Sequence, residues 1–199
     1  MDTRHGIVSS HWFCILATCG LGCTTLERKQ TVDTESTAPM QGTTDTASDN
    51  DAVDLVLFDQ WGILDSDQDP FPDHRMAHHN CDPSGVLPED NVLEINTNDC
   101  DYAVVGQPLR APIQSGDMVE LLMYHSALSA IDEPAEAHFS VMIGDQTFWD
   151  ITIDIPWQSE VYLVPIEIDF DGEAGTMVRV HLHNHGGNSW RVAYLKQIP

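Results

Sequence analysis

Three histidines alternate near the end of the chain, His181-Leu182-His183-Asn184-His185, and Gly186-Gly187 follow them. Imidazole is a good ligand for zinc and copper, and at neutral pH it is largely uncharged and free to coordinate. On a strand, residues i and i+2 share a face. His181 and His183 therefore project together with Arg179, while Val178, Val180 and Leu182 turn toward a core, and His185 joins the set if the strand continues. His138, on the polar side of its own alternating run, is the candidate third ligand. The expected zinc or copper set is His181, His183 and His138. His125 has the parity of Val119, Leu121 and Met123, which places it inside. The competing reading makes these histidines polar residues hydrogen-bonded at one end of a sheet, with Asn184, Asn188 and the two glycines forming a structured turn before Trp190.

A second cluster offers oxygen. Asp65, Asp67, Asp69 and Asp73 are spaced at i, i+2, i+4 and i+8, a spacing that suits calcium, which collects several oxygens from one turn. The loop partly resembles EF-hand and thrombospondin-type calcium loops. It departs from them with Pro70 where a glycine makes the sharp turn and Met76 where an acid closes the cage. Weak extracellular calcium binding at Asp65, Asp67 and Asp69 is the corresponding expectation. Among the aromatic residues, Trp149 and Trp190 have core parity, whereas Trp157 follows Pro156 in a loop and is the best exposed platform for stacking a sugar. The His-x-His pair is similar to that of α-class carbonic anhydrases, but the rest of that pattern is absent and the activity is not carried over. No GxSxG, GxGxxG or P-loop pattern occurs, so the leading reading is a non-catalytic binding protein, with a His-based zinc or copper metalloprotein, as carrier or enzyme, the alternative.

The elements that must position these residues are strands. Period-two alternation runs through Val53–Leu57, Asp117–His125, Ala137–Ile143, Phe148–Ile155, Tyr162–Phe170, Met177–Asn184 and Trp190–Ile198. Gly116-Asp117, Gly144-Asp145, Pro156, Asp171-Gly172 and Gly186-Gly187 punctuate them. Leu128–Ala137 is the one helical candidate, limited to about a turn by Pro134. Pro70, Pro72, Pro83 and Pro88 discourage strands in the segment that contains them. The predicted fold is an all-β antiparallel sandwich over 52–199. The strands from about 110 onward resemble jelly-roll domains of the galactose-binding type, which implies a non-catalytic domain binding a glycan or another envelope partner.

Residues 1–23 have the plan of an export signal, with Arg4 ahead of the mostly apolar Ile7–Leu21. Leu21-Gly22-Cys23 resembles the lipobox of bacterial lipoproteins, and the whole chain resembles secreted lipoproteins of myxobacteria. That resemblance implies lipidation at Cys23, with Cys19 as the alternative, and an outer-membrane or otherwise extracytoplasmic location. Residues 24–51 are acidic, rich in Thr and Ser and without aromatic residues, the composition of a disordered linker. Cys81 and Cys100 then remain as an even pair in an oxidising compartment, where a disulfide is expected.

Eight Lys and Arg stand against 32 Asp and Glu, a formal net charge of −24. Phosphate affinity comes mainly from basic side chains, so nucleic acid is excluded as a partner. Docking on anionic lipid through a basic patch is excluded for the same reason.

Overall fold

The computed structural model describes residues 52–130 and 135–199, which lie within one compact unit, Ala47–Pro199. The expected export signal, Cys19, Cys23 and the expected linker at 24–51 lie outside the described residues. No described helix is long and apolar enough to cross a membrane.

The described residues form eleven strands: β1 Val53–Asp54, β2 Gly62–Ile63, β3 Val86–Glu89, β4 Val92–Asn96, β5 Tyr102–Pro108, β6 Met118–His125, β7 Ala135–Ile143, β8 Gln146–Ile155, β9 Glu160–Glu167, β10 Met177–Asn184 and β11 Ser189–Ile198. They make two antiparallel sheets. The first has the order β3-β4-β11-β6-β9, with β1 also on β11; the second has the order β2-β5-β10-β7-β8. In the first sheet β6 takes one edge of β11 along its length, while β4 and β1 divide the other edge between Ser189–Val192 and Lys196–Gln197. The apolar parities meet between the sheets. Val119, Leu121, Met123, Trp190, Val192 and Leu195 from the first join Ala137, Phe139, Val141, Val178, Val180 and Leu182 from the second in one core. The all-β sandwich expected from the alternation is the fold observed.

Strands β2, β3, β4 and β5 lie outside the alternating runs read from the sequence, and at two places the structure contradicts that reading. Ala135–Ala137 belongs to β7 and not to a helix. Leu128, at the other end of that candidate, exchanges backbone hydrogen bonds with Trp157 at 2.8 and 3.1 Å, and the alternating apolar positions from Ala135 onward are worth more buried in a sheet than wound into one turn. Pro88 lies inside β3. It is tolerated because β3 is an edge strand paired only with β4, so its missing N–H breaks no essential ladder bond. Asp90 and Asn91 close that hairpin, both with positive φ, at 49° and 63°. Asp and Asn are the non-glycine residues best suited to that left-handed geometry.

The segment between β2 and β3 runs as three 3-10 turns, Ser66–Gln68, Pro72–His74 and Pro83–Gly85. Cys81 and Cys100 are disulfide-bonded, 19 residues apart, and tie this segment to the start of β5. Closing such a loop stabilises by about 3 kcal/mol.

Candidate metal centre

β10 is central in the second sheet, between β5 and β7. Val178, Val180 and Leu182 are on its core side, which leaves Arg179, His181 and His183 on the outer face. An outer face ordinarily meets water, yet His181 is 1% exposed and His183 9%. The register sets Val104 and Ser140 beside His181, and Tyr102 and His138 beside His183. Over them lies the Pro-rich segment between β2 and β3. Phe71 packs against His74, His138 and His181 at once, with ring centroids 5.2, 4.9 and 4.8 Å away.

Asp69 holds that segment down. Its carboxylate, fully buried, accepts hydrogen bonds from the Tyr102 hydroxyl at 2.6 Å, the Arg75 guanidinium at 2.7 Å and the Phe71 N–H at 2.9 Å. Burial alone would raise its pKa, but these donors outweigh burial and hold the carboxyl below its ordinary value. The Tyr102 phenol is pushed upward by burial and by Asp69, and so remains a donor.

The cover brings in a residue outside the set expected from sequence. His74, His138 and His181 each offer a ligand atom, and these atoms lie within 4.8 Å of one another. No other group of three or more His, Cys, Asp or Glu among the described residues converges in this way. Tetrahedral zinc sets imidazole nitrogens about 3.4 Å apart, inside the 4.8 Å span of the trio. His138 and His181 belong to the expected set. His183 stands aside from the trio, its Nε2 2.7 Å from the Nε2 of His185. Asp65 and Asp67 are exposed and Asp69 is committed to its three donors, so the calcium spacing does not draw these carboxylates into one cage.

The protonation pattern suits a cation. His138 Nε2 is 2.7 Å from Asp150 Oδ2 on β8. An ionised carboxylate can only accept, so Nε2 carries the proton and the His138 Nδ1 lone pair points at His74 Nδ1, 3.1 Å away. A carboxylate behind a histidine is the usual means of fixing a metal ligand's tautomer. Neither ring nitrogen of His181 has a hydrogen-bond partner. Burial, and then the neighbouring His138, lower its pKa to about 3, and burial followed by His185 lowers that of His183 to about 4. His181 is therefore a neutral imidazole at pH 7. Its 3.9 Å approach to Asp69 Oδ1 is a polar contact and not an ion pair.

The remaining described histidines stand apart from the trio. His125 is 2% exposed, with Nδ1 2.8 Å from the Ser126 carbonyl and its ring against Trp190. His78 and His79 are exposed. The turn after β10 is fixed by Asn184, whose side-chain amide donates to Thr97 Oγ1 and to the Gly186 carbonyl. Gly186 has φ 147°, and a Cβ there would run into the Ser129 carbonyl.

Trp157 lies on a separate surface. It is 47% exposed and lines a groove of about 330 Å³ with Ile151, Thr152, Asp154, Glu160 and Tyr162. Its indole N–H donates to Glu160 Oε2 at 2.8 Å, and the Tyr162 hydroxyl donates to the same oxygen at 2.9 Å. These two bonds hold the Glu160 carboxyl below its ordinary pKa.

No protein-family model matches the chain, and no curated protein matches it. Solved structures align with it at low similarity. A CBM4 structure is 10% identical over 71% of this chain and 96% of its own, with a TM-score of 0.36. A family 29 carbohydrate-binding module is 13% identical over 55% of this chain and 68% of its own, at 0.34. The chain spans only 11% of the chain that holds the M60 catalytic domain and two CBM51 domains of Clostridium perfringens ZmpB, at 11% identity and 0.31. Likenesses of this order assign no ligand to the present chain, whose fold is given by its own two sheets.

Proposed function

We propose that this chain is an exported protein whose β-sandwich binds one zinc or copper ion through His74, His138 and His181. One observation carries the reading: His181 is 1% exposed with both ring nitrogens unpartnered, beside two further imidazoles within ligand distance. An unsatisfied buried polar group costs about 1–3 kcal/mol, and a bound cation removes that cost. Metal analysis of the purified chain should find about one equivalent of zinc or copper, reduced at least tenfold in His181→Ala and in His138→Ala. A chain that purifies metal-free and stays so after zinc or copper is added sinks the reading.

The Trp157 groove favours a second role, binding of a glycan or another envelope component, by a chain anchored through lipid at Cys23 on the outer membrane. An indole held edge-on by a carboxylate leaves its face open to a sugar ring, and Asp154 and Glu160 supply acceptors for hydroxyls. One fractionation tests both parts. The full-length chain should be found in the membrane fraction and be retained on immobilised neutral polysaccharide. Trp157→Ala should weaken retention about tenfold, while Cys23→Ser should move the chain to the soluble fraction. Unchanged retention, or unchanged partitioning, removes the corresponding part.

A further inference from the structure

The histidine trio does not close on itself. His74 and His138 line a cavity of about 390 Å³ whose other walls are Asp73, Glu136, Thr152 and His183. His181 does not line it, and is sealed beneath Phe71 and Tyr102. A cation among the three imidazoles thus has protein on the His181 side and the cavity on the other. Four-ligand structural zinc sites are closed, whereas three protein ligands beside a cavity leave a position for an exchangeable group. The only cysteines among the described residues are joined in the disulfide, Asp69 and Asp150 are turned to other partners, and Asp73 and Glu136, though they line the cavity, do not converge with the three histidines.

The cavity walls bear on what enters. Asp73 and Glu136 are exposed carboxylates at its rim, and no lysine or arginine lines it. The surrounding chain is strongly acidic. A cavity lined by one sign of charge concentrates ligands of the opposite sign and repels its own. Building on the metal reading above, we infer that the ion keeps one coordination position open to this cavity for a small nitrogen or oxygen donor, and that the carboxylates of Asp73 and Glu136 weaken the binding of anionic donors there.

Cobalt(II) in place of the native ion makes the site visible, since its absorption bands report the coordination sphere. The full-length chain loaded with one equivalent of cobalt is titrated with imidazole, a neutral donor, and with azide, an anionic one. Both ligands should shift the spectrum saturably. Glu136→Gln and Asp73→Asn, both at exposed positions that leave the core untouched, should each lower the azide half-effect about threefold to tenfold, as expected for one partly screened charge, and leave imidazole nearly unchanged. Cobalt bound stoichiometrically with a spectrum that neither ligand alters overturns the open position while leaving the metal reading intact. Indifference of azide to both substitutions overturns the influence of the rim carboxylates. Failure of cobalt to bind at all removes the metal reading and this inference with it.

Discussion

Asp69→Ala should destabilise the protein by about 2–4 kcal/mol at pH 7 and weaken metal binding about tenfold to a hundredfold. The buried carboxylate collects Tyr102, Arg75 and the Phe71 N–H. Hydrogen bonds to an ionised acceptor are each worth about 1.5–3 kcal/mol, and removing the acceptor leaves an arginine that is only 28% exposed without its partner. The same deletion frees the segment bearing Phe71 and His74, so one ligand of the trio loses its fixed position; loss of a group that orients a ligand costs metal affinity on the scale stated. The pH dependence has a definite sign. A carboxyl held below its ordinary value contributes stability that is fully present above the unfolded pKa and is lost as pH falls through the folded one. The gap between parent and variant should therefore be widest near neutrality and shrink below the usual carboxylate range. Denaturant unfolding at pH 7 and in acid, with metal titration of both proteins, measures the two effects. Equal midpoints at pH 7 would remove Asp69 as the fastening of the cover.

The strand-borne part of the site is legible in the sequence because a strand's period is local. The alternation across Val178–His183 puts the histidines on one face without any knowledge of neighbours, and the same parity argument sends His125 and Trp190 inward and His138 outward. The rest depends on contacts distant in sequence. His74 lies in a segment with no periodicity, and nothing local says that Phe71 will fold over the outer face of β10. A retrospective signal exists: a lone phenylalanine between two prolines in an acidic loop has little reason to be there unless it packs. The Asp65–Asp73 spacing reads as a ligand cage, but one of its carboxylates has a stronger claim from Tyr102 and Arg75. β5 escapes a search for alternation although Tyr102-Ala103-Val104-Val105 has strand composition, because it is buried on both faces. Such a run lacks the period that marks the other strands.

Covering the outer face also changes what the sheet can do. On a solvated strand face, water satisfies a histidine's donor and lone pair. Under Phe71 the same residue is desolvated, and its pKa falls to about 3. Protons no longer compete effectively, and an unfilled lone pair becomes costly. The cover is thus what turns a sequence pattern into a candidate binding site, and it is fastened at two places, by Asp69 at one end and by the Cys81–Cys100 bridge at the other.

The largest loss of stability should come from Trp190→Ala, at about 3–5 kcal/mol. Trp190 is fully buried on β11 and stacks on Phe139 of β7, with ring centroids 5.6 Å apart and planes 7° from parallel. One side chain therefore joins the two sheets through the middle of the core. Its indole N–H donates to Asn184 Oδ1 at 3.3 Å, and Asn184 in turn holds Thr97 and the Gly186 carbonyl of the turn that follows the histidines. Alanine would leave a cavity between the sheets and an unpaired acceptor at the root of that turn. Trp190→Phe keeps most of the stacking and loses only the hydrogen bond, so it should cost about 1–2 kcal/mol. The histidine trio is on the opposite face of β7 and β10, and the phenylalanine variant should still bind its ion with parental stoichiometry. Unfolding midpoints for the two variants, with metal content for the second, separate core from site. An alanine variant within about 1 kcal/mol of the parent, well short of the usual cost of emptying a core site, would mean that the sheets are held together elsewhere. A phenylalanine variant that folds normally but loses its metal would mean that the turn, and not the covering segment, sets the ligand geometry.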